Sequence, residues 1–302
     1  MKKLLSLLMI FLLLTCSACA ETYGMTASAP AGAPALALAM LAVDDPDSFT
    51  FVAAETISAE FANQNADFIV APLNAGAKLY KMGKSTYKLA GVVSWGNLFF
   101  ASQKEGFTLE DMNGATVTIF GENTINASVV KYALEQNGIV PAGIEYLAGA
   151  ANTQSLLLSD ASAIVVTAEP ALTAAKIKNP AITAYAVNDL YKAATGYDGY
   201  TQAALFVKAE TAANQPDAVK AFIEAVAASC ETATTDVEAL AAAAVTLEIL
   251  PNQKVAMNAI PGCAIRFLSA LEAKEQVETT AKIDLVQFGG EVPADDFYYV
   301  AE

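Results

Sequence analysis

The chain has 302 residues, a formal net charge of −15 and no histidine. Hydrophobic residues make up 55% of it and charged residues 16%, a balance that excludes an intrinsically disordered chain. The missing histidines exclude Ser-His-Asp triads, Cys-His dyads and histidine-ligated zinc sites, and the acidic charge, with Arg266 as the sole arginine, argues against a nucleic-acid partner.

The first residues have the pattern of an export signal. Lys2 and Lys3 precede an apolar run over 4–14 that is too short to span a membrane, and Ala18-Cys19-Ala20 follows. This predicts a signal peptide over 1–20. Cleavage after residue 20 would give a soluble exported protein, acylation of Cys19 would give a lipoprotein, and an uncleaved anchor is a third alternative. All three place the folded part outside the cytoplasm, in the periplasm or on the outer face of the cell membrane.

Short apolar runs then alternate with helical patterns, which is typical of an α/β fold. The first unit predicts strands at 22–28, 49–54 and 67–71 and helices at 35–42, 56–63 and 73–82. A long apolar stretch at 89–102, interrupted by Trp95-Gly96, predicts a pair of strands.

A second unit repeats the alternation and a helical region follows it. Its strands are predicted at 116–120, 163–167 and 203–207, and its helices at 109–114, 125–137, 153–158 and 171–178. Helices are predicted further on at 218–231, 235–247, 252–260 and 269–280, before an irregular acidic tail. Strands that lead into and out of the second unit at separate points suggest a lobe inserted into another lobe.

A series of short motifs extends over the chain after residue 20, at 66–72, 87–96, 109–114, 168–170, 214–219, 259–263 and 289–299. Each motif is weak alone. In their order and spacing, the motifs together resemble the solute-binding proteins of ABC importers, in the branch that takes nitrate, sulfonates, taurine or thiamine precursors.

The resemblance implies a two-lobed, type II periplasmic-binding-protein-like fold. Each lobe would be a mixed sheet flanked by helices, and two hinge strands would join the lobes. The first lobe would hold residues 21–101 and 207–302 and the second lobe residues 102–206. The implied partners are a small-molecule ligand and the permease and ATPase of an importer, with no cofactor and a monomeric state. An enzyme branch with this fold makes the thiamine pyrimidine and needs histidine, so we expect no enzymatic activity.

The ligand class is less constrained. Members of the family that bind small oxyanions often hold them with Arg or His side chains, which this chain nearly lacks. We therefore predict a neutral or cationic heteroaromatic solute such as a thiamine precursor. A small anion (sulfonate, taurine or nitrate) held by backbone amides is the alternative, and an enzyme or a sensor on the same fold would be a further one.

Ligands of α/β sheets bind beyond the carboxyl ends of the strands, where loops lead into helices. Residues at four such junctions, together with two aromatic residues near the expected hinge, form the predicted binding set: Thr26, Ser28, Pro30, Ala31, Gly32, Asn74, Trp95, Gly121, Asn123, Thr124, Glu169 and Tyr200. For several of these residues a structural role is the alternative to ligand binding. Asn74 and Thr124 can cap helices, Glu169 can complement a helix dipole, and Trp95 can be a core residue.

Cys230 and Cys263 are the cysteines outside the leader. Export permits a disulfide between them, and two buried free thiols are the alternative.

Overall fold

The computed structural model describes residues 24–301. The predicted signal peptide and Cys19 lie outside the described residues. Within the described range, no helix is both long enough and apolar enough to cross a membrane.

Strands and helices alternate through most of the chain. The strands are β1 (Ala27–Pro30), β2 (Phe49–Val52), β3 (Phe68–Pro72), β4 (Tyr87–Ser94), β5 (Leu98–Ser102), β6 (Thr116–Phe120), β7 (Gly143–Leu147), β8 (Ile164–Ala168), β9 (Thr183–Ala186), β10 (Ala203–Lys208) and β11 (Ile265–Ser269). The α-helices are α1 (Ala39–Ala42), α2 (Ile57–Asn63), α3 (Leu73–Lys81), α4 (Ile125–Gln136), α5 (Ala150–Ser159), α6 (Ala171–Lys178), α7 (Val187–Thr195), α8 (Ala209–Asn214), α9 (Pro216–Thr235), α10 (Val237–Thr246), α11 (Gln253–Ala259) and α12 (Ala270–Ile283). Short 3₁₀ helices lie at Ala33–Leu38, Pro46–Ser48, Leu109–Met112, Ile260–Cys263, Leu285–Phe288 and Asp295–Phe297.

The strands form two separate mixed sheets. The first has the order β11-β4-β10-β3-β1-β2, in which β1 is parallel to β2 and β3, and β10 is antiparallel to β3 and β4. The second has the order β7-β6-β8-β5-β9, in which β6 is parallel to β7 and β8, and β5 is antiparallel to β8 and β9. The predicted fold class, two lobes that each hold a mixed sheet flanked by helices, is confirmed.

The chain passes between the two sheets twice, once between β4 and β5 and once between α7 and β10. The two crossings lie side by side, because the Gln202 backbone N–H donates to the Ser94 carbonyl oxygen at 3.0 Å. The sheets place β5 in the second lobe and β10 in the first. The crossings therefore come slightly earlier in the chain than the predicted lobe limits at 102 and 206. The apolar stretch read as a strand pair at 89–102 is divided between the two lobes at Trp95-Gly96.

Several elements were not predicted from the sequence. The strands β7 and β9 form the edges of the second sheet and are only half-buried, so they lack the apolar run that marks a central strand. The strand β11 is an edge strand of the first sheet and was not predicted either. The helix α7 also escaped prediction, although its inward face carries buried Val187, Leu190 and Tyr191.

The core is continuous across the lobe boundary. One cluster of buried side chains contains Leu89 of the first sheet, Val117 of the second sheet and Val277 of α12. A second cluster fills the space between the first sheet and helices α9 to α11. Cys230 and Cys263 lie in this second cluster as buried free thiols, and burial raises the pKa of both thiols.

Candidate functional site

A cavity of about 310 Å³ lies between the two lobes. Its walls come from both lobes and from one of the crossings. The lining residues are Pro30, Ala31, Pro34, Ala54, Ile57, Pro72, Asn74, Ala75, Thr124, Ile125, Asn126, Gln202, Ala203 and Gln287.

The first lobe supplies the end of β1 and the first turn of α3. Small residues follow β1, and Gly32 has φ of 110°, a conformation that favours glycine. The helix α3 starts directly after Pro72 and has no side-chain cap. Asn74, in its first turn, lines the cavity. Its Oδ1 is buried and accepts no hydrogen bond from any described residue, which is an energetically costly state for a polar atom.

The second lobe supplies the first turn of α4. The Thr124 hydroxyl caps this helix by accepting from the Ala127 backbone N–H at 3.3 Å, and it also donates to the Gly121 carbonyl oxygen at 2.6 Å. The Asn126 Oδ1 accepts a hydrogen bond from the Tyr200 hydroxyl at 3.0 Å. Tyr200 lies in the second crossing, so this bond fixes the start of α4 relative to the hinge.

Gln202 connects the cavity to both crossings. Its Oε1 accepts from the Ser94 hydroxyl at 3.2 Å, and its Nε2 donates to Asn97 Oδ1 at 3.0 Å. Asn97 in turn donates to the Glu169 carbonyl oxygen at 2.9 Å. The Gln202 backbone carbonyl accepts from the N–H of Leu73, the first residue of α3, at 3.0 Å. A cavity-lining side chain is thus hydrogen-bonded into the hinge.

The lining of the cavity is neutral, although the chain as a whole is acidic. Among the described residues, the side chains that line it are apolar, amide or hydroxyl groups, and none of them titrates. The partial positive charge of the lining is therefore contributed by backbone N–H groups. The first turns of α3 and α4 both face the cavity, and the first N–H groups of a helix lack intrahelical partners and carry partial positive charge. Such a lining can bind hydrogen-bond acceptors from both sides, but it offers no general acid or base.

Of the predicted binding set, the cavity brings together Pro30, Ala31, Asn74 and Thr124. Gly32, Gly121 and Asn123 lie in the turns beside it, although they do not line it. Thr26 and Ser28 precede these turns in and before β1. The Thr26 hydroxyl donates to Asp67 Oδ2 at 2.9 Å, and the Ser28 hydroxyl donates to Glu60 Oε2 at 3.3 Å.

Trp95, Glu169 and Tyr200 are buried in or beside the hinge, and none of them lines the cavity. The Trp95 indole N–H donates to the Arg266 carbonyl oxygen at 2.7 Å, and the Arg266 guanidinium carbon lies 4.5 Å from the centre of the indole ring. Glu169 accepts from the backbone N–H of Thr173 at 3.0 Å and from its hydroxyl at 2.9 Å. Trp95 and Glu169 thus make contacts of the structural kind that the sequence left open for them.

Other lining residues were missed from the sequence. Pro34, Ala54 and Ile57 are apolar residues that carry no chemical signal. Asn126 lies in the junction that leads into α4, and Gln202 lies directly before the strand predicted at 203–207. Their side-chain amides could have marked them as candidate ligand-binding residues. Gln287 lies in the C-terminal region, far in sequence from the junctions after the strands, so only the folded chain brings it to the cavity.

The comparisons with known proteins agree with this architecture. Residues 96–239 match a family model described as NMT1/THI5 like. The fold is similar to an ABC transporter structure from Parabacteroides distasonis, with a TM-score of 0.79 and 23% identity over 92% of this chain and 99% of that one. It is also similar to the periplasmic aliphatic sulphonate binding protein SsuA from Escherichia coli, with a TM-score of 0.69 and 14% identity over 92% of both chains.

A further similar structure is the alkanesulfonate-binding protein SsuA from Xanthomonas axonopodis pv. citri bound to MOPS, with a TM-score of 0.64 and 13% identity over 91% of this chain and 97% of that one. No curated relative matches the sequence. The resemblance read from the sequence motifs is confirmed: residues 96–239 match the NMT1/THI5-like model, and the fold is that of the solute-binding proteins of ABC importers.

Proposed function

We propose that this protein is the substrate-binding component of an ABC importer, which captures a small organic solute between its lobes and delivers it to a membrane permease. The observation that carries the proposal is the cavity itself, enclosed by helix first turns from both lobes and by the hinge residue Gln202. A solute in this position contacts both lobes at once and so favours their closed arrangement. The fold shared with sulfonate-binding proteins supports the same function.

Binding rather than catalysis fits the chemistry of the lining. General acid–base and nucleophilic catalysis need a titratable or nucleophilic group within reach of the substrate. Thr124 is the lining hydroxyl among the described residues, and it is held by the Gly121 carbonyl oxygen and the Ala127 N–H. This lining supports a site that holds a solute without converting it.

The lining favours a neutral solute with hydrogen-bonding edges. Two helix N-termini present donors and partial positive charge, which disfavours a cation. The amides of Asn74, Asn126 and Gln202 can both donate and accept. Within the neutral or cationic heteroaromatic class predicted from the sequence, a neutral ring with amino and imino groups, such as an aminopyrimidine, is the class we propose.

A small anion is a second candidate, and one observation favours it. The same two helix N-termini form a suitable site for a sulfonate or nitrate group, since backbone N–H groups alone can bind anions. Among the described residues no Arg or Lys side chain lines the cavity, so an anion would be held by backbone N–H groups and by neutral amide and hydroxyl side chains.

A thermal-shift panel separates these candidates. The probes are aminopyrimidines, nucleobases, alkylsulfonates, taurine and nitrate, tested on the chain from Glu21 onward. A ligand at 100 times its Kd adds about 2.7 kcal/mol to the free energy of unfolding, which raises the melting temperature by roughly 5–10 °C for a chain of this size. We expect the shift with a neutral heterocycle. A shift confined to sulfonates or nitrate would favour the anion instead.

The variant Ala31→Phe tests whether the cavity is the binding site. Ala31 is exposed and lines the cavity, so a phenyl ring there fills the space without disturbing the core. We expect the ligand-induced shift to disappear. Ala193→Phe is the matched control, because Ala193 is an exposed residue of α7 outside the cavity. A ligand-induced shift that survives Ala31→Phe would place the solute elsewhere and contradict the proposal.

We further propose that the protein acts outside the cytoplasm. The predicted leader and the fold of periplasmic binding proteins support this location. Acylation at Cys19 remains the alternative to soluble export. Palmitate labelling in the native host, compared between wild type and Cys19→Ala, distinguishes a lipoprotein from a soluble exported protein.

A further inference from the structure

We propose that the segment Asp284 to Gln287, which follows α12, is a clamp that holds the second lobe against the first, and that Gln287 is the positioning residue of this clamp at the cavity wall. The inference concerns the lobes themselves and does not depend on which solute the cavity binds.

Two hydrogen bonds connect this segment to the second lobe. The Ser128 hydroxyl on α4 donates to Asp284 Oδ2 at 2.7 Å. The Gln287 Nε2 donates to the Asn123 carbonyl oxygen at 2.7 Å, in the turn that leads into α4. Each of these hydrogen bonds links a residue of one lobe with a residue of the other. Both bonds therefore break when the lobes separate.

The segment is firmly attached to the first lobe. The helix α12 begins directly after β11 of the first sheet, and the segment around Gln287 and Phe288 packs against α3 of the first lobe. The following glycine, Gly289, lies against Lys78 and Lys81 of α3. The clamp residues are therefore carried by a fixed part of the first lobe, and they reach across to the second.

The position of Gln287 gives the clamp a direct relation to the cavity. Gln287 lines the cavity together with Thr124 and Asn126 of the second lobe. Its amide nitrogen donates across the lobe boundary at that wall. The clamp thus adds to the closed state an interaction that the solute itself does not supply.

The clamp lies apart from the hinge contacts of α12. Thr280 of α12 is fully buried, and its hydroxyl bonds the Thr201 N–H at 3.2 Å and the Tyr191 hydroxyl at 3.3 Å. These bonds lie beside the second crossing. The bonds of Asp284 and Gln287 come after them in the chain and reach the start of α4, where the second lobe meets the cavity.

The experiment measures lobe separation in the chain from Glu21 onward, without added solute, after a denaturant wash and refolding. Spin labels at Met82→Cys and Val140→Cys report the distance between lobes, because both positions are exposed and lie one in each lobe. Cys230 and Cys263 are buried and do not compete for the label. The test variant combines Ser128→Ala and Gln287→Ala.

We expect the test variant to raise the ratio of open to closed molecules by about tenfold over wild type, since two hydrogen bonds are lost from the closed state alone. Hydrogen exchange of the peptide covering 121–127 is the second readout, because loss of the bond from Gln287 to the Asn123 carbonyl oxygen frees this turn from the first lobe. We expect this peptide to exchange faster than in wild type.

The matched control combines Ser155→Ala and Gln253→Ala. The Ser155 hydroxyl donates to the Ala151 carbonyl oxygen inside α5, and the Gln253 amide donates to the Glu238 carbonyl oxygen inside the first lobe. Neither bond crosses between lobes, so the control should match wild type in both readouts. A test variant whose distances and exchange rates equal those of wild type, or a control that opens as much as the test variant, would overturn the clamp.

Discussion

Glu169 is a buried carboxyl group beside the hinge, and burial is the main cause that raises its pKa above the ordinary value of 4.5. Hydrogen bonds from Thr173 and the charge of Lys176 act in the opposite direction. Since the folded state holds its proton to a higher pH than the unfolded state does, this group lowers the free energy of unfolding as the pH rises above 4.5.

The variant Glu169→Gln removes this titration and can keep both hydrogen bonds to Thr173, because its oxygen accepts and its nitrogen donates to the hydroxyl. We expect wild type to lose stability relative to the variant as the pH rises from the ordinary pKa of 4.5 through the raised pKa of the folded state. Urea unfolding at a series of pH values measures the difference. Equal pH slopes for the two proteins would contradict the assignment.

Glu272 provides a control of opposite sign. It is exposed, and hydrogen bonds from the Ser269 hydroxyl and N–H lower its pKa. Ionised Glu272 adds to the free energy of unfolding when the pH is above its ordinary pKa. This contribution is lost as the pH falls through the lowered pKa of the folded state. Glu272→Gln should therefore be less stable than wild type at neutral pH and approach wild type in acid.

At the scale of elements, the packing of α3 on the first sheet depends on Gly76. A Cβ at this position would collide with the ring of Phe206, which is fully buried and packed between Phe61 and Phe297. The close approach of α3 to β10 places the helix first turn at the cavity. Gly76 is thus a packing requirement of the binding site.

We expect Gly76→Ala to lower the free energy of unfolding by about 1–3 kcal/mol through overpacking, partly offset by about 1 kcal/mol of helix propensity. Gly143→Ala is the control. A Cβ at Gly143, on edge strand β7, meets nothing within 4 Å, so this variant should be neutral or more stable by about 0.4–1 kcal/mol. Chemical denaturation measures both, and equal stability of the two variants would contradict the packing argument.

The elements that the sequence predicted well are those whose pattern is local. The strand β6 and the helix α6 match their predicted limits of 116–120 and 171–178, because an apolar run and a helical pattern each end at clear stop signals. The edge strands β7, β9 and β11 could not be read in the same way, since their partners, rather than their own composition, make them strands. The same holds for the cavity: Thr124 follows from its junction, but Gln287 follows from tertiary packing alone.

At the scale of the whole molecule, the two lobes share one continuous core even though each has its own sheet. The main cluster contains residues of both sheets and of α12, whereas a smaller cluster around Leu157 belongs to the second lobe alone. Trp95 lies in the main cluster at the first crossing. Because it is the sole tryptophan, its fluorescence reports the state of the hinge region.

A shared core predicts that the lobes unfold together. Leu157→Ala removes a fully buried side chain of the second lobe, and such changes cost about 2–5 kcal/mol. If the molecule is one cooperative unit, the variant lowers the urea midpoint of Trp95 fluorescence as much as that of far-UV circular dichroism. Two separate transitions, with the fluorescence midpoint unchanged, would mean that the second lobe unfolds alone. In that case the hydrogen bonds around Gln202 and the clamp would be holding together two independently stable lobes, and the main core cluster would contribute little to their union.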